Sequence, residues 1–188
     1  YADDTAMLFV GDTLEDTSRQ ANEAIAALEL WGRSEAIHFD SAKTEVMHFS
    51  RHQTDHDRSP AIYHGDREIR ASRSMRWLGI WLDKKLTFND HITKWSHKAR
   101  TVISHLRVMN NTIRGMSAVA ARRAVWAVVM PTLFYGMDAW LPGLDTDDTS
   151  LQRNQISKTN LSKVQRVLNL SCRMILPVWK TTPLEFLW

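Results

Sequence analysis

Cysteine is nearly absent. The 188-residue chain has one, Cys172. A single thiol cannot close a disulfide within the chain, so no disulfide framework substitutes for a packed core, and the usage fits a reducing compartment. Long apolar runs are missing too. The longest uncharged stretch of the C-terminal half, Ala124 to Met137, is too short to span a bilayer, and no signal-peptide pattern opens the chain. The expectation is an intracellular protein with no membrane segment. Internal repeats and low-complexity tracts are also lacking, which excludes solenoids and biased-composition tails. Finally, acid is missing from two long segments: no Asp or Glu lies between His91 and Met137, nor from Thr149 to Leu184.

The hydrophobic fraction of 44% supports a real core, and the length suits one domain or two small ones. A net charge of +3 conceals a division. Residues 1–90 hold 11 Lys/Arg against 16 Asp/Glu, a balance of −5, and residues 91–188 hold 13 against 5, a balance of +8. A basic half beside an acidic half points to nucleic acid as the partner of the basic one.

The chain opens on Tyr1-Ala2-Asp3-Asp4, followed by the apolar run Ala6–Val10 and the turn signal Gly11-Asp12. Such a run reads as a buried strand with two adjacent carboxylates at its mouth. Paired carboxylates repel unless a cation neutralises them, and oxygen ligands suit Mg²⁺. Two Mg²⁺ ions about 3.5–4 Å apart would suit in-line phosphoryl transfer. Downstream, the pattern predicts a helix from about Thr17 to Trp31, with Thr17…Gln20 as capping box, stripe residues Ala21, Ala24, Ile25 and Leu28, and Gly32 as stop. A strand is expected over Thr44–Phe49 with Lys43 at its start, and a polar loop over Arg51–Pro60. There His52 and His56 have a zinc-like spacing but no second ligand pair.

Gly65-Asp66 then predicts a hairpin turn between Ala61–His64 and Glu68–Ala71. In Met75–Asp83, Gly79 stands among Trp77, Leu78, Ile80, Trp81 and Leu82, and a glycine inside a strand marks a bulge or a close backbone approach. After Asn89 or Asp90 as cap, the period becomes helical. Ile92, Trp95, Ala99, Val102, Ile103 and Leu106 form a core face, and Lys94, Lys98, Arg100 and Arg107 a basic surface suited to phosphates. Ser117 caps a further apolar helix carrying Arg122 and Arg123, broken or kinked at Pro131. A polar linker over Leu144–Asn154 leads to a last helix, about Leu161–Leu176. Its predicted core face is Leu161, Val164, Leu168 and Ile175, with Lys163, Arg166 and Arg173 as the positive set.

Tyr1-Ala2-Asp3-Asp4 resembles the Tyr-x-Asp-Asp box of reverse transcriptases. With F-D-S-A-K-T-E-V-M-H-F, R-W-L-G-I-W-L-D-K-K-L-T-F-N-D-H-I, L-S-K-V-Q-R-V-L and W-K-T-T-P in order, most of the chain resembles the palm and thumb of non-LTR retrotransposon polymerases, fungal elements above all. The resemblance implies an α+β fold: the C-terminal part of a palm over residues 1–88, then an all-α thumb-like segment over 89–188. It implies an RNA-directed DNA polymerase using two-metal nucleotidyl transfer, with Asp3 and Asp4 holding two Mg²⁺. Lys43 would lie near the nucleotide's phosphates, after a turn made looser by Ser41 in place of the family's usual proline. Tyr1 would touch the primer–template, Leu78 and Gly79 would grip the primer end, and the helices after Asp90 would clasp the hybrid. RNA template, DNA primer, dNTP and the remainder of the polymerase would be its partners, with nuclear action at integration. An upstream strand, a third metal-binding Asp and fingers are not in the chain, so a fragment inactive by itself is expected. The alternative is a non-catalytic basic nucleic-acid-binding module whose Asp pair is vestigial.

Overall fold

The computed structural model describes residues 4–50, 52–110, 115–141, 156–176, 178, 181–183 and 185. These residues form an α+β chain with two small antiparallel hairpins and several helices. The chain divides into two compact units, Tyr1–Met75 with Asp83–Leu86, and Arg76–Leu82 with Thr87–Trp188.

The first unit is built on helix α1, Leu14–Ser34. It starts a turn earlier than the capping box predicts, because Thr13 is the N-cap and its hydroxyl accepts from the Asp16 amide at 3.1 Å. The buried stripe Leu14, Ser18, Ala21, Ile25 and Gly32 has helical spacing. Gly32 does not stop the helix. It is buried at a close approach, where a Cβ would lie 2.7 Å from the Ile37 carbonyl oxygen and against the Phe39 ring. The helix ends instead on Ala36 at φ 57°, with the Ile37 amide donating back to the Gly32 carbonyl at 2.8 Å, a Schellman closure.

Strands β1 (Ile62–His64) and β2 (Arg67–Ile69) pair across the predicted Gly65-Asp66 turn, with His64 opposite Arg67. Gly65 takes φ +59°, as glycine-first hairpin turns require. The Asn22 side chain docks β1 on α1: its amide donates to the Ala61 carbonyl at 3.3 Å and its oxygen accepts from the Tyr63 amide at 2.7 Å. The loop before them contains a short 3₁₀ turn, Gln53–Asp57.

Two expected strands do not form. Residues 4–10 are irregular, and Leu8 and Val10 are each 81% exposed, while Phe9 packs on the Ala21–Ile25–Ile62 cluster. Thr44–Phe49 is irregular as well, tied to the chain ahead by the Ser72 amide on the Val46 carbonyl at 2.8 Å. A strand exists by pairing, and an apolar run without a ladder partner among the described residues stays coil.

In the second hairpin, β3 (Ser74–Trp77) and β4 (Ile80–Asp83) pair across Leu78-Gly79. Gly79 is therefore a turn residue and not a bulge within a strand. Helix α2 spans Asn89–Met109, ending where expected but starting one or two residues early, because the cap position belongs to Phe88, at φ 53°, with no side-chain cap, and not to Asn89 or Asp90. Asn89 accepts instead from the Lys163 ammonium at 2.6 Å.

Helix α3 (Ala118–Ala124) starts on the predicted Ser117 cap and runs through a π turn, Val125–Val129, into α4 (Met130–Leu133). Pro131 thus neither breaks nor ends the helix. The wider turn lies just ahead of the residue that lacks an N–H and crowds the preceding turn. It also keeps the core stripe aligned. Ala121, Val125, Val129 and Leu133 are buried four apart, a spacing that would drift about 120° around a regular α-helix over that length.

After α5 (Met137–Trp140), the Leu144–Asn154 linker lies outside the described residues. Helix α6 is Lys158–Ile175, capped by Ser157. Its buried face is Asn160, Val164, Val167, Ser171 and Met174. Of the expected face only Val164 is buried; Leu168 and Ile175 are partly buried, and Leu161 is 52% exposed. A hydrophobicity pattern overlooks this face because Asn160 and Ser171 are polar. Asn160 donates to the Thr87 carbonyl at 3.3 Å, and Asn110 at the end of α2 donates to the Met174 carbonyl at 2.6 Å. Start therefore meets start and end meets end, so α2 and α6 pack parallel.

These two placements give opposite expectations for alanine substitution. Ile103→Ala, at a site 2% exposed, should cost about 2–5 kcal/mol, whereas Leu161→Ala should stay within about 0.5 kcal/mol. Urea unfolding followed by tryptophan fluorescence measures both, and equal losses would contradict the buried face assigned to α6.

Candidate nucleic-acid interface

Of the opening Tyr-Ala-Asp-Asp box, Tyr1, Ala2 and Asp3 lie outside the described residues. Asp4 is exposed. No group of three His, Cys, Asp or Glu side chains able to hold a metal occurs among the described residues. Lys43 is 86% exposed at the side chain and 3.7 Å from Asp40, an ion pair worth little in water. The turn that carries it is not loose. Asp40 accepts from the Ala42 amide at its carboxylate (2.8 Å) and from the Lys43 amide at its carbonyl (3.1 Å), and Arg67 donates to the Ser41 carbonyl. An Asx turn and an arginine do the work a proline would do.

The second unit gathers more. Leu78 and Gly79 both adopt positive φ, 45° and 84°, the pairing of a two-residue hairpin turn that favours Asn-Gly. A leucine in this region costs about 1–2 kcal/mol, so the surroundings must hold it. They do so from several sides. The Tyr135 hydroxyl donates to the Leu78 carbonyl at 2.9 Å, and the Trp95 indole donates to the Gly79 carbonyl at 3.3 Å. The two rings stack at 4.4 Å. A Cβ on Gly79 would lie 2.8 Å from the Tyr135 hydroxyl. The close approach expected at Gly79 is real, and the group that makes it is the chain's own tyrosine. Leu78 itself remains 42% exposed at the tip.

His91 locks this arrangement. It is fully buried. Its Nδ1 accepts from the Trp81 amide at 3.2 Å, which leaves Nε2–H to donate to the Tyr135 carbonyl at 3.0 Å. That carbonyl also accepts from the Trp140 indole at 3.0 Å. A neutral imidazole of one tautomer joins β4, α2 and the segment after α4. Burial holds its pKa below the ordinary histidine range, against a smaller upward push from the Tyr135 hydrogen bond. His91, Trp95 and Tyr135 were not among the site residues predicted from the sequence. Their signal there is a cluster of aromatic and imidazole side chains on both sides of the basic helix.

The predicted basic residues do not form one surface. At about 100° per residue, Lys94 and Lys98 lie about 40° apart on α2, while Arg100 and Arg107 share a different sector. All four are exposed, but the ammonium of Lys94 lies over the Trp81 ring and that of Lys98 over Trp95, 4.4 Å from its centroid. Lys163, from the positive set of α6, is spent on Asn89, Thr93 and Asn160. Arg122 and Arg123 are exposed on α3.

No family model matches the chain and no solved structure matches it. Among curated proteins, it is 26% identical over 140 residues to the RNA-directed DNA polymerase from mobile element jockey of Drosophila melanogaster, covering 74% of this chain and 15% of that polymerase. The jockey polymerase of Drosophila funebris is 24% identical over the same shares. The Retrovirus-related Pol polyprotein from type-1 retrotransposable element R1 3 of Nasonia vitripennis is 21% identical over 201 residues, 100% of this chain and 49% of its own length. The chain thus spans between 15% and 49% of the length of these relatives. They are insect proteins, and the fungal origin expected from the sequence finds no support in them. No helix of the described residues is long and apolar enough to cross a membrane.

His91 makes stability depend on pH. Because its folded pKa is depressed, the unfolded chain binds the extra proton first, so the stabilisation is intact above the ordinary histidine range and is lost as pH falls through it. Half-buried His48 acts in the same sense, through burial and the charge of Lys84. Unfolding free energy should fall between about pH 7 and about pH 5, by at most about 1.4 kcal/mol per pH unit for each proton taken up. Urea titrations of the wild type and His91→Gln should show a shallower pH slope in the variant. Identical slopes would show that His91 titrates freely.

Proposed function

We propose that this chain is a segment of an RNA-directed DNA polymerase from a non-LTR retrotransposable element. The observation that carries this reading is the run of relatives that are themselves polymerases or Pol polyproteins of such elements, one of them aligned across the whole chain. Residues 1–88 correspond to part of the palm and 89–188 to a thumb-like segment. Asp3 and Asp4 are the candidate ligands for two Mg²⁺ ions, and their carboxylate oxygens suit that metal. The exposed Asp4 has no ion-pair partner among the described residues. Bound there, the metals would supply activation of the primer hydroxyl and stabilisation of the leaving pyrophosphate.

The chain's own residues supply position. Lys43 stands exposed on a pinned turn, free to reach a phosphate. Leu78, held in a strained conformation at the tip of a clamped hairpin, is the kind of outlier that marks a contact site, and we assign it to the primer end. Lys94, Lys98, Arg100, Arg107, Arg122 and Arg123 offer positive charge to the RNA–DNA hybrid, with Lys94 and Lys98 held in place by the indoles beneath them. RNA template, DNA primer and dNTP are the partners, with nuclear action at integration.

The test is made in the whole polymerase that contains this chain. Asp3→Asn should lower single-turnover nucleotide incorporation by more than about 100-fold, a loss of at least about 2.7 kcal/mol of transition-state stabilisation, while metal-free affinity for the hybrid stays unchanged. Incorporation at the unsubstituted rate would overturn the metal-site assignment and favour a basic binding module with a vestigial Asp pair.

A further inference from the structure

Trp126 is 60% exposed, and the roles assigned above do not use it. On the α3–π segment, Val119, Arg122, Arg123 and Trp126 follow one another at i, i+3, i+4 and i+7. At about 100° per residue they occupy one sector about 100° wide, turned away from buried Ala121 and Val125. Val119 is 62% exposed, and both arginines are exposed. Neither arginine forms an ion pair among the described residues. Lys94 and Lys98, by contrast, already rest on Trp81 and Trp95. No acid occurs in the chain from His91 to Met137 to oppose this face.

An open indole between two guanidinium groups matches one chemistry closely. A base can stack on the indole while adjacent phosphates meet the arginines. A paired base cannot, because its faces are already stacked within the duplex. We propose that the Val119–Trp126 face is a stacking platform for single-stranded nucleic acid: Arg122 and Arg123 can meet phosphates of either a strand or the hybrid, but the Trp126 indole serves only an unpaired base. The proposal rests on the polymerase reading only in taking nucleic acid as the partner. Charge decides against an apolar protein surface as the occupant, since such a surface would leave both arginines facing nothing.

The experiment uses the full 188-residue chain with fluorescein-labelled oligo(dT), oligo(U) and an RNA–DNA hybrid, read by fluorescence anisotropy. Trp126→Ala should weaken binding of both single strands by at least about fivefold and leave hybrid affinity unchanged, and Trp126→Phe should restore most of the loss. Arg122→Gln and Arg123→Gln should each make the log–log salt slope for single strands shallower by about 0.7. Because Trp126 is on the surface, circular dichroism should be unchanged in every variant. Single-strand affinity that ignores Trp126→Ala overturns the proposal, as does an equal loss on the hybrid. A change in self-association with oligonucleotide affinity intact would also overturn it, by making the face a protein interface. Hybrid binding that persists in those cases leaves the polymerase reading standing. If the wild-type chain binds neither single strand nor hybrid at low salt, both fall.

Discussion

A neutral imidazole with no access to water holds the second unit in register. His91 satisfies the Trp81 amide on one side and the Tyr135 carbonyl on the other, so β4, α2 and the segment after α4 meet at one ring. Their geometry depends on that ring staying uncharged, because a protonated His91 could no longer accept from Trp81. The stacked Trp95–Tyr135 pair extends the joint to the turn, where the two side chains donate to Gly79 and Leu78. The strained backbone at Leu78 is affordable because it is restrained from several directions at once. Polar groups buried in such a network are costly when unpaired and specific when paired.

The sequence makes α2 legible to within a residue or two at its start, because its polar and apolar positions follow a clean helical period up to Asn110. It also locates the first hairpin, because Gly65-Asp66 admits few alternatives. The α6 face was misplaced because Asn160 and Ser171 are buried for their hydrogen bonds rather than their hydrophobicity. The runs at residues 4–10 and 44–49 look like strands because their apolar content is right, but composition does not provide a partner for the ladder. Gly32 was assigned as a helix stop and Gly79 as a bulge or a close backbone approach, of which the close approach is what the structure has. Each is a point of close packing, by Phe39 and by Tyr135, and a contact of that kind depends on residues distant in the chain.

The candidate site was legible in a different way. Motif order put forward the Asp pair and the hairpin that we propose meets the primer end, whereas charge counting put forward the basic helices. Charge counting treats all cations alike, and the structure separates them. Lys163 is used inside the fold, Lys94 and Lys98 rest on indoles, and Arg122 and Arg123 stand open beside Trp126. What sequence reading passed over is the aromatic framework beneath the cations, because tryptophans at helical spacing read as core.

A single His91 tautomer, protonated at Nε2 and bare at Nδ1, sets the hairpin against α2. Ring ¹⁵N chemical shifts of His91, measured by NMR on the whole chain between about pH 7 and about pH 5, test it most directly. Nε2 should be protonated and Nδ1 unprotonated and hydrogen-bonded, with no titration until below the ordinary histidine range. Rapid exchange between tautomers, or protonation at the midpoint of a free histidine, would contradict it.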